Sequence, residues 1–353
     1  MIQIKKILFI ILILGFFSLS FSNEYVSLSV VADRVDLISE ASVDQLFGKC
    51  ISYRIDTVYL PLISYMEALY ISKLLPRSNV LINLSSSITF DPLEYALKKG
   101  ENFGVRVIPL IDLFTVWPSK DLPINALHVS NKHPEWLSRD SLGRLLTDPV
   151  ILDPGVNEVQ EFIIALVKEV LIKYQPSQLA FSNFGYPNPV YGYNPFSLKK
   201  YEQYRRDNGT KIINFDDFRK DVLSDMIKRI AALTQSLGLP TKLYMFHTSN
   251  YEKSLEQHFQ DWVYWINKTY VDMGVMWYWF GDKKNVAFDT QWALENVLRA
   301  RIVPALSLDD FQPAQFSLIL KTALSFPVSG VVVDTTDSNV MMILNTNKVG
   351  IPR

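Results

Sequence analysis

The sequence of 353 residues contains a single cysteine, Cys50, and this scarcity excludes several classes of protein. One cysteine cannot form a disulfide framework, a CxxC redox pair or a cysteine-rich zinc site. The four histidines lack the close spacing of an HExxH site, so we expect neither a metal nor another cofactor. No Gly-rich phosphate turn follows the first predicted strand, which argues against a doubly wound, dinucleotide-binding fold.

An excess of charge of one sign is also missing. The chain has 35 Lys and Arg against 36 Asp and Glu, for a net charge of -1. Such a balance produces no field that attracts nucleic acid or anionic lipid, so no nucleic-acid partner is predicted. With 48% apolar residues, the chain can bury a large core without disulfide or metal support.

The N-terminal segment has the composition of a secretory signal peptide. Lys5 and Lys6 precede a thirteen-residue apolar run over residues 7–19, and Ser20 and Ser22 then supply the small side chains that a signal peptidase reads. A bilayer span needs roughly 20 residues, so this run is short for a membrane helix. We expect a signal peptide over residues 1–22 and a secreted or periplasmic protein without a membrane span; the alternative is an uncleaved N-terminal anchor.

Short runs rich in Val, Ile, Leu and Tyr alternate with longer segments of helical period, which is typical of a parallel sheet with helices between its strands. Eight runs are predicted as strands, near residues 25–32, 57–63, 105–113, 178–183, 242–247, 271–279, 302–308 and 330–334. Eight strand and helix units fit an α/β fold, the closed (β/α)8 TIM barrel, as a single domain over residues 23–353. Long connections over residues 114–155 and 184–216 follow strands, so they lie at the C-terminal face where barrels build active sites.

Segments spread along the chain carry a resemblance to a known family. Residues 152–159 read Leu-Asp-Pro-Gly-Val-Asn-Glu-Val, and residues 133–137 read His-Pro-Glu-Trp-Leu. Further segments with matching order and spacing are residues 67–72, 90–96, 181–187, 215–219, 260–262 and 271–272. Together they resemble the glycosyl hydrolase-like family ten, exported bacterial barrel proteins related to glycan hydrolases. The resemblance implies a bacterial cell-wall polysaccharide as the substrate class.

The chain departs from this family at the end of the fourth predicted strand. Where the family commonly carries Phe-Asp-Asp-Tyr-Phe-Tyr-Pro, residues 181–187 read Phe-Ser-Asn-Phe-Gly-Tyr-Pro. Glycoside cleavage ordinarily needs a carboxylic acid and a carboxylate, and neither Ser182 nor Asn183 supplies a proton or a charge near neutral pH. Both side chains can hydrogen-bond a sugar hydroxyl, so both are predicted to bind substrate.

If hydrolysis is retained, its carboxylates must lie at other strand ends. Asp112 closes the third predicted strand and Asp334 the eighth, where barrels place catalytic residues. The alternatives are a turn cap for Asp334 and, for Asp112, a local arginine or backbone amide as partner. Asp309, beside Asp310, is a further substrate-binding candidate, although both precede a predicted helix and serve equally well as its N-terminal cap.

Other polar and aromatic side chains at this face are also predicted to bind substrate. His247 ends the fifth strand, where it either contacts substrate at the barrel mouth or is a buried core histidine. Tyr186 and Tyr191 fall in a Pro-rich loop after the fourth strand, and their rings can stack on a pyranose. Trp277 and Trp279 end the sixth strand and either form one wall of a sugar cleft or pack between barrel and helices.

Three functions remain open at the level of sequence. The first is a secreted glycan-active barrel, the second a non-catalytic glycan-binding module, and the third an envelope scaffold that binds protein. Two carboxyl groups facing each other across the cleft would favour hydrolysis, and their absence would favour the binding module, a pseudoenzyme. An apolar patch without a concave polar cleft would favour the scaffold.

Overall fold

Eight parallel strands form one closed sheet. The computed structural model describes residues 26–84, 89–209, 214–278, 283–298, 301–306, 313–347 and 349. The strands are β1 (Ser27–Val31), β2 (Thr57–Ser64), β3 (Arg106–Asp112), β4 (Gln178–Ser182), β5 (Lys242–Thr248), β6 (Met273–Tyr278), β7 (Ile302–Leu306) and β8 (Gly330–Val333). Each strand pairs with the next, and β1 pairs with both β2 and β8, which closes the barrel. The predicted (β/α)8 TIM barrel is confirmed.

Helices connect the strands. They span Glu40–Tyr53, Asn79–Leu84, Pro92–Phe103, Val129–Lys132, Asn157–Tyr174, Pro195–Asp207, Phe215–Ser236, Tyr251–Gln257, Trp262–Asn267, Lys283–Asn296, Pro313–Ala323 and Ser338–Thr346. The third begins where the Asp91 side chain accepts a hydrogen bond from the Glu94 amide at 3.1 Å, and it ends at Gly104 with a left-handed φ of 70°. Within the described ranges, no helix combines the length and apolar character needed to cross a membrane.

Two hydrophobic clusters follow from the alternation of side chains along the strands. The barrel interior contains Tyr59, Ile108, Leu110, Ala180, Phe246, Val275, Ala305 and Val332. A larger cluster lies between the strands and the helices and takes up the neighbouring strand positions. Side chains two residues apart on a strand point to the same face. Asp112, Ser182 and Trp277 therefore share the inward face with Leu110, Ala180 and Val275, respectively.

Buried Asp153 joins the two long connections at the C-terminal ends of β3 and β4. Its carboxylate accepts hydrogen bonds from the Ser138 and Ser197 hydroxyls at 3.2 and 2.7 Å. It also accepts bonds from the backbone amides of Gly155 and Asn194 at 2.9 and 3.2 Å. Four donors satisfy a carboxylate that is fully buried, so the two connections form one packed rim beside the barrel mouth.

Candidate functional site

Asp112 and Asn183 form a hydrogen-bonded pair at the C-terminal end of the barrel. Asp112 is the last residue of β3, and 9% of its surface is exposed. Its Oδ1 accepts a bond from the Thr115 amide at 3.0 Å, and its Oδ2 accepts one from Asn183 Nδ2 at 2.8 Å. Asn183 reaches the carboxylate from a left-handed backbone (φ 51°), which asparagine tolerates better than most residues. Asp112 therefore has the backbone-amide partner that the sequence left open, and a side-chain amide partner as well.

Burial governs the ionisation of Asp112. It raises the pKa of this carboxyl to about 6, although hydrogen bonds from Asn183 and Thr115 act in the opposite direction. Below that pH the group carries a proton that it can donate, and near neutral pH it is mostly ionised. Glycosidases use a carboxyl with a raised pKa as their general acid.

The raised pKa makes Asp112 a source of pH-dependent instability. A folded-state pKa of about 6, against roughly 3.9 in the unfolded chain, means that the folded protein binds the extra proton between these values. The free energy of unfolding should therefore fall as pH rises from about 4 to about 6, by roughly 3 kcal/mol for this group. Asp112→Asn cannot ionise, so the variant should gain stability relative to the wild type across this window.

Urea unfolding of both proteins from about pH 4 to about pH 7 measures this difference. Glu101→Gln, which neutralises an exposed carboxylate on the helix Pro92–Phe103, is the matched control for the loss of one negative charge. A constant offset between Asp112→Asn and the wild type at every pH would contradict the raised pKa.

Three further predicted residues lie at the same end of the barrel as this pair. Ser182, the last residue of β4, is the register partner of Asp112 and is half-buried. Trp277 is half-buried on β6, with its ring centroid 5.9 Å from that of Phe246 in the barrel interior. Asp334 is half-buried directly after β8 and shares the inward face with Val332. Asp309 and Trp279 lie outside the described residues, and the roles of all five side chains stay predictions.

His247 does not lie at the barrel mouth. It follows the inward-facing Phe246, so its ring points to the helix layer, where it stacks on Trp262 at a centroid distance of 4.1 Å. Only 3% of the residue is exposed, and burial lowers its pKa to about 4, so it is neutral. The structure thus assigns His247 to the core. In the described part of the chain, no group of three or more His, Cys, Asp or Glu residues is placed to hold a metal ion.

Tyr186 and Tyr191 are buried inside the connection after β4 and do not face solvent. The Tyr191 hydroxyl donates to the Pro149 carbonyl at 2.8 Å. The Tyr186 ring packs against Phe259, with centroids 5.5 Å apart, and beside the guanidinium of buried Arg219. The predicted stacking of these two rings on a sugar is therefore wrong in this structure. Both tyrosines are buried and pack around the side chain of Arg219.

Three residues that the sequence did not single out come together at this face. Arg34 follows β1, Tyr65 follows β2 and Trp117 follows β3, and all three are half-buried. The Arg34 Cζ lies 4.8 Å from the centre of the Tyr65 ring, and the Tyr65 and Trp117 rings lie 5.7 Å apart at 61°. We call Arg34, Tyr65 and Trp117 the cationic platform. The sequence could have pointed to these three residues, because each one follows one of three consecutive strands and therefore lies at the functional face of a barrel.

Comparison with known proteins bears on the family of the chain. The model of the family described as glycosyl hydrolase-like 10 matches residues 28–295. Glycosyl hydrolase DigH of Escherichia coli (strain K12) is 25% identical over 224 residues, which cover 60% of this chain and 48% of that protein. Glycosyl hydrolase YngK of Bacillus subtilis (strain 168) is 29% identical over 168 residues, covering 46% and 31%. The chain thus spans about half or less of the length of these curated relatives.

A solved structure shares the architecture. The glycoside hydrolase domain of PgaB (BpsB) from Bordetella bronchiseptica matches with a TM-score of 0.63, covering 92% of this chain and 97% of that one. Sequence identity is 10%, so this likeness concerns the fold alone. The (β/α)8 barrel is the shared element, and the chemistry of the mouth has to be argued from the residues of this chain.

Proposed function

Since the chain belongs to the glycosyl hydrolase-like 10 family, we propose that it is an exported protein that binds a bacterial cell-wall glycan across the mouth of its barrel. The names of DigH and YngK, both glycosyl hydrolases, support a carbohydrate ligand. The family resemblance supports cell-wall polysaccharide as the substrate class. The apolar run over residues 7–19 supports export.

The observation that carries the proposal is the hydrogen bond from Asn183 Nδ2 to Asp112 Oδ2 at 2.8 Å. An amide stands where the family resemblance leads one to expect a carboxylate, and it donates to the acidic side chain beside it. The amide carries no charge and gives up no proton near neutral pH, so it cannot complete an acid and base pair. Amide, hydroxyl and carboxyl groups gathered at the end of a barrel are well suited to bind sugar hydroxyls.

Hydrolysis is the second candidate function, and the raised pKa of Asp112 favours it. A carboxyl with a pKa of about 6 can protonate a leaving oxygen in mildly acidic conditions. It would need a second carboxyl group about 5 to 5.5 Å away in a retaining enzyme, or about 6.5 to 9.5 Å away in an inverting one. Asp334, on the inward face at β8, is the described carboxylate that we assign to this second role.

Incubation of the mature protein with purified cell-wall glycan strands separates the two functions. We expect strands to be retained and no new reducing ends to form. Trp277→Ala should weaken retention roughly tenfold, because it removes an aromatic face at the mouth. Phe288→Ala, which removes a ring that is 63% exposed on an outer helix, is the control and should leave retention unchanged. New reducing ends that disappear in Asp112→Asn and Asp334→Asn would establish hydrolysis instead.

Export is tested separately on protein recovered from the periplasm or the medium. We expect its first residue to be Asn23, because cleavage after Ser22 removes the apolar run. An intact mass that begins at Met1 would contradict cleavage.

A further inference from the structure

The cationic platform of Arg34, Tyr65 and Trp117 is continuous with the Asp112 site. Trp117 ends a short strand, Thr115–Trp117, whose Thr115 amide donates to Asp112 Oδ1 at 3.0 Å. This strand pairs in an antiparallel manner with Val150–Ile151. The Trp117 ring is therefore fixed to the same backbone segment that holds the Asp112 carboxylate.

Tyr65 sits in a backbone conformation that costs free energy. Ser64 pairs with Glu67, so Tyr65 and Met66 form a two-residue turn in which both φ angles are positive, 56° and 53°. Turns of this kind favour Asn and Gly, because other side chains are strained there. Buried His128 keeps the turn in place through a 2.9 Å hydrogen bond between its Nε2 and the Tyr65 carbonyl. Strain of this kind, held by a dedicated partner, points to a function for the ring.

Among the described residues, the Arg34 guanidinium forms no ion pair and can bind an external anion. Both acidic neighbours are engaged by a capping box: Asp33 Oδ1 accepts from the Val35 amide, and Asp36 Oδ2 accepts from the Asp33 amide, each at 3.0 Å. Within the described part of the chain, the arginines in ion pairs are Arg144, Arg219 and Arg229. Arg34 is not among them, and its contact is with the face of Tyr65. Its planar fork of donors matches the geometry of a carboxylate.

We propose that the cationic platform is a subsite for an acidic sugar, in which Arg34 binds the carboxylate and Tyr65 and Trp117 contact the apolar face of the ring. The inference rests on the proposed glycan-binding function and narrows its ligand to chains that carry carboxylate-bearing sugars. A cation that stacks on one aromatic ring, which itself packs against a second ring, recognises charge and pyranose together. A glycan without carboxylates would contact the two aromatic rings and leave the Arg34 guanidinium without an anion.

The test compares purified cell-wall glycan strands that have free sugar carboxylates with the same strands after conversion of the carboxylates to methyl amides. The wild type should bind the free-acid strands roughly ten- to a hundredfold more tightly at low salt, because a charge-assisted pair is lost in the amide. Arg34→Gln should bind the two forms equally well. Arg106→Gln removes the same charge from the exposed first residue of β3, at the opposite end of the barrel, and should keep the preference.

Tyr65→Asn is the second variant, and it separates binding from folding. Asparagine suits the left-handed conformation, so the thermal midpoint should be maintained or raised, while affinity for both forms of the strand should fall. Equal affinity of the wild type for both forms would overturn the acidic subsite and leave glycan binding intact. Absence of binding to either form would overturn the proposed function itself. If Arg34→Gln still preferred the free-acid strands, Arg34 would not be part of the subsite.

Discussion

Under the proposed binding function, replacing Ser182 and Asn183 together by aspartate should create glycan cleavage that the wild type lacks. A positioned general acid or base is typically worth about a hundred- to ten-thousandfold in rate, which new reducing ends would reveal above an inert background. The double variant restores the two carboxylates that the family resemblance leads one to expect at the end of β4. Release of reducing ends from purified cell-wall glycan strands is the measurement.

The two positions should contribute differently, because they lie at different distances from Asp112. Ser182 is its register partner on the neighbouring strand, and adjacent strands are about 4.8 Å apart, close to the carboxyl spacing of retaining enzymes. Asn183 already touches the Asp112 carboxylate at 2.8 Å. A carboxylate there would share a proton with Asp112 and raise the pKa of the pair. Ser182→Asp alone should therefore account for most of the activity, and Asn183→Asp alone for little.

Ser182→Asn is the matched control, since it adds nearly the same volume without a charge. It should bind glycan and release no reducing ends. Inactivity of the double variant with glycan binding intact would mean that the mouth has diverged in more than the two lost carboxylates. The end of β6, which contributes the predicted substrate-binding residue Trp277, is the next place to test.

The strand count and the positions of Asp112 and Ser182 followed from the sequence because they depend on local pattern. Short apolar runs between helical segments mark the strands, and strand ends mark the functional face. The local pattern does not show which of two neighbouring strand residues points into the barrel. Parallel strands are buried on both faces, so Phe246 and His247 are equally plausible inward residues until the barrel is closed. The sequence therefore leaves His247 either at the mouth or in the core, and in the structure it lies in the core against Trp262.

The cationic platform and the buried tyrosines depend on contacts that are distant in sequence. Arg34, Tyr65 and Trp117 become neighbours because β1, β2 and β3 pair in register, which no local pattern reports. In the sequence, the Pro-rich loop around Tyr186 suggests an exposed ring. In the structure, the Arg219 side chain, from the helix Phe215–Ser236, packs over that ring. Buried cations in aromatic surroundings are rare, so composition gives no reason to expect one.

Arg219 is the main link between the connection after β4 and the helix Phe215–Ser236. Its side chain is 1% exposed and lies 3.9 Å from the centre of the Phe259 ring. One guanidinium nitrogen donates to the Pro189 carbonyl at 2.8 Å and also to the Tyr191 carbonyl, and the other terminal nitrogen donates to the Asp216 carboxylate. The guanidinium charge is thus balanced by aromatic rings, two backbone carbonyls and one half-exposed carboxylate.

Arg219→Ala should lower the free energy of unfolding by about 3 to 5 kcal/mol, because it leaves the buried Tyr191 carbonyl without its donor and a cavity among aromatic rings. Urea unfolding at neutral pH measures the loss. Arg229→Ala on the same helix is the control: its partner Glu161 is 69% exposed, so less than about 1 kcal/mol should be lost. Asp216→Ala should also cost little, since that carboxylate is half-exposed and the rings and carbonyls remain. Equal losses in Arg219→Ala and Arg229→Ala would show that the aromatic surroundings of Arg219 do not stabilise the fold.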